Sequence, residues 1–266
     1  MTIENNKTLS ADDVECFFDV GWIEKKALFQ PDEIQKMREC FDNLETLAGE
    51  LTETSLSHGS HFVLGENGPQ QVIKRVVWAG GSQPYLLGIG NDRRLTVPSC
   101  QLLASDTMEQ LLSQAHFKRP NDGVAFGWHQ DIQHRDKGND TWRDLNGTGS
   151  FVQTMIAVDE MSVDSGPLMF MPGSSKWGRA DFGSHDYDQV FDRTLRPVAF
   201  SEADAVTVLA KPGDVLFFGP YTAHASFENT SDFYRRVLIN GYAYPGANTR
   251  RYLGDGAGRL LSITNA

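Results

Sequence analysis

Hydrophobic and polar positions divide the chain into a helical first part and a later part made of short strands. Apolar residues between Ile34 and Leu51 recur at spacings of three and four, which is typical of one face of an amphipathic helix. Pro31 and the two acidic residues after it form a favourable first turn for this helix. A shorter helix is predicted to start at a capping box that begins with Ser10 and to end at Gly21.

After residue 60 the pattern changes to short apolar runs separated by Gly, Pro, Asn and Asp, which is typical of β-sandwiches and barrels. Residues 110–117 are ambiguous between helix and strand. The predicted fold class is an all-β core with N-terminal helices (α+β), built as a double-stranded β-helix or cupin-like jelly roll. We expect one domain over residues 1–266, with the helical part at residues 8–52 packing on the jelly roll. The predicted strands cover residues 71–78, 99–104, 124–128, 151–158, 167–171, 205–209, 214–218 and 236–244.

Composition limits the classes of partner. The formal net charge of −11 disfavours nucleic acid and anionic membrane surfaces, so a small-molecule substrate is expected. Three cysteines without CxxC spacing indicate neither a disulfide framework nor a zinc ribbon. Because the N-terminus lacks an apolar signal core and no apolar run could cross a bilayer, we expect a cytoplasmic protein. The oligomeric state is not indicated by the sequence.

The chain contains a candidate set of metal ligands. His129 and Asp131 are two residues apart, so in an extended strand both side chains point the same way. With His224, two imidazoles and one carboxylate are available, which is typical of non-heme Fe(II) oxygenases because open coordination positions remain. Arg235 offers a planar fork of donors that suits the far carboxylate of 2-oxoglutarate. The sequence therefore predicts an oxygenase that uses Fe(II), 2-oxoglutarate and O2.

Two of these assignments have neighbours of the same residue type. His134 and Asp136 repeat the His-x-Asp spacing, but they lie in a polar, glycine-containing run that is predicted to be a solvated loop. His129 follows the apolar residues 124–128, which suit a strand that ends at a site, so context favours the first pair. Arg236 competes with Arg235, and strand alternation would send only one of the two inward without deciding which.

Five motifs follow one another in the second half of the chain: WHQD at 128–131, SGPLMFMPGS at 165–174, PGDVLFF at 212–218, HAS at 224–226, and Arg235. Their order resembles that of the phytanoyl-CoA dioxygenase family of Fe(II)/2-oxoglutarate oxygenases. The resemblance implies roles for six residues, with His129, Asp131 and His224 as metal ligands and Arg235, Ser226 and Lys74 as contacts of 2-oxoglutarate.

The resemblance also implies a reaction, in which an unactivated C–H bond is hydroxylated and succinate and CO2 are released. Halogenating relatives have a small residue in place of the carboxylate, so Asp131 favours hydroxylation. The long segments 132–150 and 174–203 are predicted to form a lid, and their polarity favours a small polar metabolite. The candidate substrate contacts are Trp128, Arg143 and Arg179.

Several alternatives remain open at this point. The same iron chemistry could desaturate or cyclise a secondary metabolite instead of hydroxylating it. A cupin-type metalloenzyme could use the same three ligands without 2-oxoglutarate. A non-catalytic jelly-roll binding module is a further alternative, in which the polar residues only satisfy one another.

Overall fold

A computed structural model describes residues 8–67, 70–136, 140–182 and 196–263 of the chain. The helices in this part are α1 (Ala11–Val20), α2 (Pro31–Gly49), α3 (Pro84–Ile89), α4 (Arg93–Leu103) and α5 (Ile132–Asp136). The strands are β1 (Trp22–Lys25), β2 (Ser55–Ser57), β3 (Ser60–Asn67), β4 (Gln70–Val77), β5 (Thr107–His116), β6 (Phe126–His129), β7 (Phe151–Ala157), β8 (Leu168–Phe170), β9 (Ala180–Asp181), β10 (Arg196–Pro197), β11 (Val206–Val208), β12 (Val215–Phe218), β13 (His224–Ser226), β14 (Val237–Ala243) and β15 (Arg259–Ser262).

Most of these strands form two antiparallel sheets. The larger sheet has the order β1, β12, β7, β14, β5, β4, β3, β2, and β15 also pairs with β5. The smaller sheet has the order β11, β8, β13, β6. A hydrophobic cluster joins the two sheets and includes Met155 and Ile239 of the larger sheet and Phe170 of the smaller one. This arrangement confirms the predicted jelly-roll core with N-terminal helices.

The helices cover the outer face of the larger sheet. The apolar stripe of α2, which includes Ile34, Met37 and Phe41, is buried in a cluster with Val152 of β7 and Leu238 of β14. The helix begins and ends close to the predicted residues. The amphipathic pattern was therefore sufficient to place this helix against the sheet.

The α1 helix also matches its prediction. The Ser10 side chain accepts a hydrogen bond from the backbone N–H of Asp13, and the Asp13 carboxylate accepts one from the Ser10 N–H in return. Gly21 ends the helix with φ of +112°, a conformation that glycine adopts without steric cost.

Strand β14 separates the inside of the jelly roll from the helix-covered outside. Its residues Leu238 and Tyr242 belong to the cluster shared with the helices, whereas Val237 and Ile239 belong to the cluster between the sheets. Odd-numbered residues of this strand therefore face inward and even-numbered ones outward. This alternation decides how the polar residues just before the strand are oriented.

One predicted strand is wrong. Residues 99–104 belong mainly to α4, in which Asp92 caps the first turn by accepting a hydrogen bond from the Arg94 N–H. Pro98 lies inside this helix, although proline is disfavoured in helix interiors. The ambiguous residues 110–117 are mostly in the central strand β5. No helix in the described part of the chain is long and apolar enough to cross a membrane.

Candidate metal centre and cosubstrate site

Strand pairing in the smaller sheet brings the two predicted histidine ligands together. His129 ends β6 and His224 begins β13, and the antiparallel register places them directly opposite each other. Their ring centroids are 4.2 Å apart. Asp131 follows β6 by two residues, and one potential ligand atom from each of the three residues lies within 4.8 Å of the others. The structure thus assembles all three predicted ligands.

Backbone carbonyls orient the two imidazoles. His129 Nδ1 lies 2.8 Å from the Gly127 carbonyl oxygen, and His224 Nδ1 lies 2.9 Å from that of Thr222. If each Nδ1 carries the proton and donates it to the carbonyl, each Nε2 keeps its lone pair for a metal ion. These contacts therefore orient the rings and favour the tautomer that metal binding requires.

The Asp131 carboxylate supports the same conclusion. Its Oδ2 atom is buried and has no hydrogen-bond partner among the described residues. A buried carboxylate oxygen without a partner is unfavourable, and a cation between it and the imidazoles would satisfy it. The residues present therefore fit a metal ion.

Protonation states also suit a metal ion. Burial and the neighbouring His224 lower the pKa of His129 to about 3, so this ring is neutral at pH 7. Burial alone would raise the pKa of Asp131, but the nearby His224, His129 and Arg135 outweigh that effect and lower it. Neutral imidazole and ionised carboxylate are the forms that bind Fe(II).

Arg235 faces the inside of the jelly roll, in agreement with the alternation of β14. It is buried, and its Nε donates a hydrogen bond of 3.1 Å to the Gly166 carbonyl, to which Nη2 also donates. Gly166 has φ of +67°, and a Cβ atom there would lie 2.3 Å from the Phe227 carbonyl oxygen. Only glycine fits this close approach, which explains the glycine of the 165–174 motif. Arg236 faces outward and binds Asp159.

Lys118 is a buried cation beside Arg235 that the sequence argument missed. Its Nζ donates hydrogen bonds to Ser226 Oγ, at 2.9 Å, and to the Phe227 carbonyl. The backbone groups of Lys118 and Arg235 are hydrogen-bonded in both directions. Burial and the charge of Arg235 lower the pKa of Lys118 to about 6, although Asp122 and Glu228 oppose the shift.

No carboxylate in the described part of the chain forms a salt bridge with Lys118 or Arg235. Asp122 acts on both groups only at longer range. Two adjacent buried basic side chains without a salt bridge among the described residues form a site for an anionic ligand. Lys118 follows the ambiguous run 110–117. If that run is taken as a strand whose His116 faces inward, Lys118 two residues later faces inward too and becomes a candidate.

Two predicted cosubstrate contacts have different positions. Ser226 lies with Lys118, as described above. Lys74 is not brought together with these residues, because its exposed side chain on β4 lies over Gly65 of β3. Of the two lysines, Lys118 is therefore the better candidate for a contact with 2-oxoglutarate, because it contacts Ser226 and Lys74 does not.

The three candidate substrate contacts lie in different surroundings. Trp128 is buried, and its indole Nε1 donates a hydrogen bond of 3.1 Å to Glu202. Arg143 is exposed, whereas Arg179 is half-buried and forms a hydrogen bond with Tyr221. Their roles toward a substrate remain predictions.

The prediction of a solvated loop at residues 134–136 is wrong. These residues lie in α5, which starts directly after Asp131. Arg135 is buried, and the ring centroid of His134 is 5.5 Å from that of His129. The segment therefore forms part of the site's surroundings. Residues 137–139 and 183–195 of the two predicted lid segments lie outside the described residues, so the lid remains a prediction.

Comparison with known proteins places this site in a family. The sequence profile of the family described as Phytanoyl-CoA dioxygenase (PhyH) matches residues 19–237. The L-proline trans-4-hydroxylase of Streptomyces griseoviridis is 25% identical over 242 residues, which cover 84% of this chain and 82% of that protein.

Two solved structures are similar in fold. EctD from S. alaskensis, crystallised with 2-oxoglutarate and 5-hydroxyectoine, has a TM-score of 0.69 and 21% identity and covers 94% of this chain and 82% of its own. The non-heme alpha ketoglutarate dependent carbocyclase SnoK from nogalamycin biosynthesis has a TM-score of 0.65 and 19% identity and covers 98% of this chain and 99% of its own.

The family match spans most of the chain, and the assembled ligand set agrees with it. The predicted enzyme class and the predicted cofactors Fe(II), 2-oxoglutarate and O2 are therefore confirmed, and the alternatives without 2-oxoglutarate are not supported. The chain belongs to the phytanoyl-CoA dioxygenase family of Fe(II)- and 2-oxoglutarate-dependent dioxygenases.

Proposed function

We propose that this dioxygenase hydroxylates an unactivated C–H bond of a small polar metabolite. In the overall reaction, substrate, 2-oxoglutarate and O2 give the hydroxylated product, succinate and CO2, so one oxygen atom enters each organic product. Two observations carry the proposal. Asp131 Oδ2 is buried without a hydrogen-bond partner among the described residues, and the buried Lys118 and Arg235 form no salt bridge there.

His129, Asp131 and His224 would hold Fe(II). Three ligands on one side leave the other coordination positions open, and iron bound there supplies the activation of O2 with 2-oxoglutarate as the reductant. The carbonyl contacts of the two imidazoles occupy Nδ1, so each Nε2 would be the atom that binds the metal ion. Asp131 contributes a negative charge, so this ligand set would bind Fe(II) more tightly than a neutral set of ligands.

Arg235, Lys118 and Ser226 would bind the distal carboxylate of 2-oxoglutarate. The guanidinium is planar and can pair with both carboxylate oxygens, and the ammonium of Lys118 adds a second charged donor. Because Lys118 is buried, it would take up a proton when the anion arrives. Ser226 Oγ holds the lysine Nζ in place at 2.9 Å. These groups would orient the cosubstrate and exclude water from it.

Side chains around the metal ligands would position the substrate. Trp128 packs with Phe200 at a ring-centroid distance of 5.3 Å beside the ligand strand β6. The polar segments around the site and the similarity to an L-proline hydroxylase and to EctD, crystallised with 5-hydroxyectoine, support a small polar substrate.

The test is succinate formation by the Fe(II)-loaded protein with a panel of small polar metabolites. We expect one panel member to raise O2-dependent succinate release and to gain one oxygen atom by mass spectrometry. Absence of any 2-oxoglutarate turnover, with or without panel members, would refute the proposal.

Oxidative ring formation is the second candidate, and the carbocyclase SnoK, which matches nearly the full length of both chains, supports it. A cyclised product loses two hydrogen atoms and gains no oxygen. The mass of the product therefore separates the two candidates in the same experiment.

A further inference from the structure

Arg135 is a buried cation near the metal ligands that the proposed iron and 2-oxoglutarate sites do not use. Its side chain lies in α5, one helical turn after Asp131, and the residue is 5% exposed. Its guanidinium donates to the Asp131 carbonyl at 3.5 Å and to Tyr252 Oη at 3.2 Å. It forms no salt bridge with any carboxylate in the described part of the chain. A buried guanidinium normally has an anionic partner.

Aromatic rings hold this guanidinium in place. The Arg135 Cζ atom lies 4.9 Å from the centroid of the Phe151 ring and 5.5 Å from that of Tyr252. These contacts fix the position of the positive charge. The nearby Asp131 carboxylate interacts with it electrostatically but forms no salt bridge with it. Among the described residues, Nη2 has no hydrogen-bond partner, so donors remain for a ligand.

Gln153 is a second polar group without a partner, and it lies on the same face of β7 as Phe151. The residue is 5% exposed, and its Oε1 atom is buried without a hydrogen-bond partner among the described residues. Residues two apart on a strand share a face and are separated by about 7 Å. A buried amide without a partner is costly unless a ligand satisfies it.

Strand register places Gln153 next to the metal ligands. It pairs with Phe218 of β12, whose ring centroid is 5.1 Å from that of His224. Its other neighbour is Gly241 of β14, which has no side chain. The Phe151 ring extends over this glycine, because a Cβ atom there would lie 2.5 Å from Phe151 Cζ. The inner face therefore leads from His224 through Gln153 and Phe151 to the Arg135 guanidinium.

We propose that Arg135 and Gln153 form the recognition site for the substrate, in which Arg135 pairs with a carboxylate and Gln153 accepts a hydrogen bond from an N–H or O–H group of the same molecule. The inference rests on the proposed function and specifies its substrate class as a small carboxylic acid with a polar hydrogen-bond donor. The cationic site of Lys118 and Arg235 binds the cosubstrate, so each of the two anions has its own arginine.

The first experiment compares carboxylates with matched neutral analogues. Succinate release by the wild-type protein is measured with L-proline, L-pipecolate, L-valine and L-glutamine, each paired with its primary carboxamide, and with 2-aminoethylphosphonate as a different anion. We expect at least one carboxylate to stimulate release about tenfold more than its amide, since the amide lacks the charge that Arg135 needs. Stimulation by phosphonate alone, by the amides equally, or by no carboxylate would overturn the inference.

The second experiment changes the recognition residues. In Arg135→Gln we expect kcat/KM for the stimulating carboxylate to fall by about 100-fold and the preference over the amide to disappear, with partial recovery in Arg135→Lys. Gln153→Leu should raise the KM for the carboxylate by about tenfold. Arg251→Gln, which removes an exposed arginine from the neighbouring segment, is the matched control and should behave as the wild type.

Two measurements separate this inference from the proposed function. The Arg135 and Gln153 variants should keep the wild-type KM for 2-oxoglutarate, and circular dichroism and thermal denaturation should show that they are folded. Any succinate release without substrate is compared between the wild type and the control Arg251→Gln, in which it should be the same. Calorimetric binding of the stimulating carboxylate to the metal-free protein should weaken about tenfold in Arg135→Gln. If the wild type shows no 2-oxoglutarate turnover, the proposed function itself fails; if turnover is present but Arg135→Gln keeps wild-type substrate kinetics, only the recognition site fails.

Discussion

Arg235 and Arg236 are consecutive residues with opposite surroundings. Arg236 faces the helices and is neutralised by Asp159, to which its Nε donates at 2.7 Å, and by Asp42, to which Nη1 donates at 2.7 Å. Arg235 faces the inside of the jelly roll, where its guanidinium donates to the Gly166 carbonyl and its backbone pairs with that of Lys118. The outer arginine is part of a salt-bridge network, whereas the inner one forms no salt bridge with any described carboxylate.

The charged groups outside and inside the jelly roll differ in the same way. On the outside, Asp159 also accepts a hydrogen bond of 3.0 Å from Arg38. On the inside, Asp131 Oδ2 is buried without a hydrogen-bond partner among the described residues. Each unsatisfied buried group costs about 1–3 kcal/mol. Ligands that bind inside the jelly roll would satisfy such unpaired groups. Substitutions inside should therefore affect ligand binding, and substitutions outside should affect the free energy of unfolding.

The largest effect is expected for the two aspartates. Asp131→Ala should lower Fe(II) affinity by more than about 100-fold and abolish succinate release, because a ligand is removed. The metal-free variant should be at least as stable as the wild type, since an unsatisfied carboxylate is lost. Asp159→Ala should instead lower the free energy of unfolding by about 2 kcal/mol and keep iron binding. Iron titration measures the Fe(II) affinity, and chemical denaturation measures the free energy of unfolding. An Asp131→Ala variant that is destabilised but binds iron normally would contradict this prediction.

The next largest effects are expected for Arg235 and Arg236, whose substitutions should change different properties. Arg235→Gln is expected to raise the KM for 2-oxoglutarate by about 100-fold, because the distal carboxylate loses its bidentate partner. Arg236→Gln should leave this KM unchanged and lower the free energy of unfolding by about 2 kcal/mol, since Asp159 and Asp42 lose a partly buried partner. Steady-state kinetics and urea denaturation of both variants decide the assignment. A higher KM in Arg236→Gln alone would exchange the two roles.

A smaller effect is expected for the two candidate lysines. Lys118→Met should raise the KM for 2-oxoglutarate by about tenfold, whereas the exposed Lys74→Met should change it little. Free Lys118, with a pKa of about 6, is mostly neutral at higher pH and must bind a proton together with the anion. The affinity of the wild type for 2-oxoglutarate should therefore fall as pH rises above about 6, and calorimetry in two buffers should detect the uptake. Proton uptake that persists in Lys118→Met would assign it to another group.

The smallest effect is expected at Ser226. Its hydroxyl accepts the hydrogen bond from Lys118 Nζ, so Ser226→Ala should raise the KM for 2-oxoglutarate only about fivefold. Ser55→Ala, which alters the edge strand β2 of the larger sheet, serves as the control. An effect as large as that of Arg235→Gln would indicate that Ser226 contacts the cosubstrate directly.

Much of the fold follows from local patterns. The stripe of α2 and the caps of α1 are properties of short segments, so the sequence predicts both helices. Residues 99–104, mainly the last part of α4, were predicted as a strand, although the helix buries Leu95 and Leu102. Burial depends on distant partners, which a local pattern does not contain.

The metal ligands could be predicted because His129 and Asp131 share one motif and the later motifs identify His224. Lys118 and Arg135 were missed for different reasons. Lys118 becomes a candidate only when β5 and β14 pair and bring it to Arg235. Arg135 was assigned to a solvated loop because its neighbours in sequence are polar, whereas packing against Phe151 and Tyr252 buries it.

The most direct test of the central claim is an anaerobic titration of the metal-free protein with Fe(II) and then 2-oxoglutarate, followed by visible absorption. The account predicts one Fe(II) per chain, a weak charge-transfer band that appears only when both are present, and loss of iron binding in Asp131→Ala. Failure to bind Fe(II), or a band of unchanged intensity in Asp131→Ala, would contradict the assignment of His129, Asp131 and His224 as the metal centre.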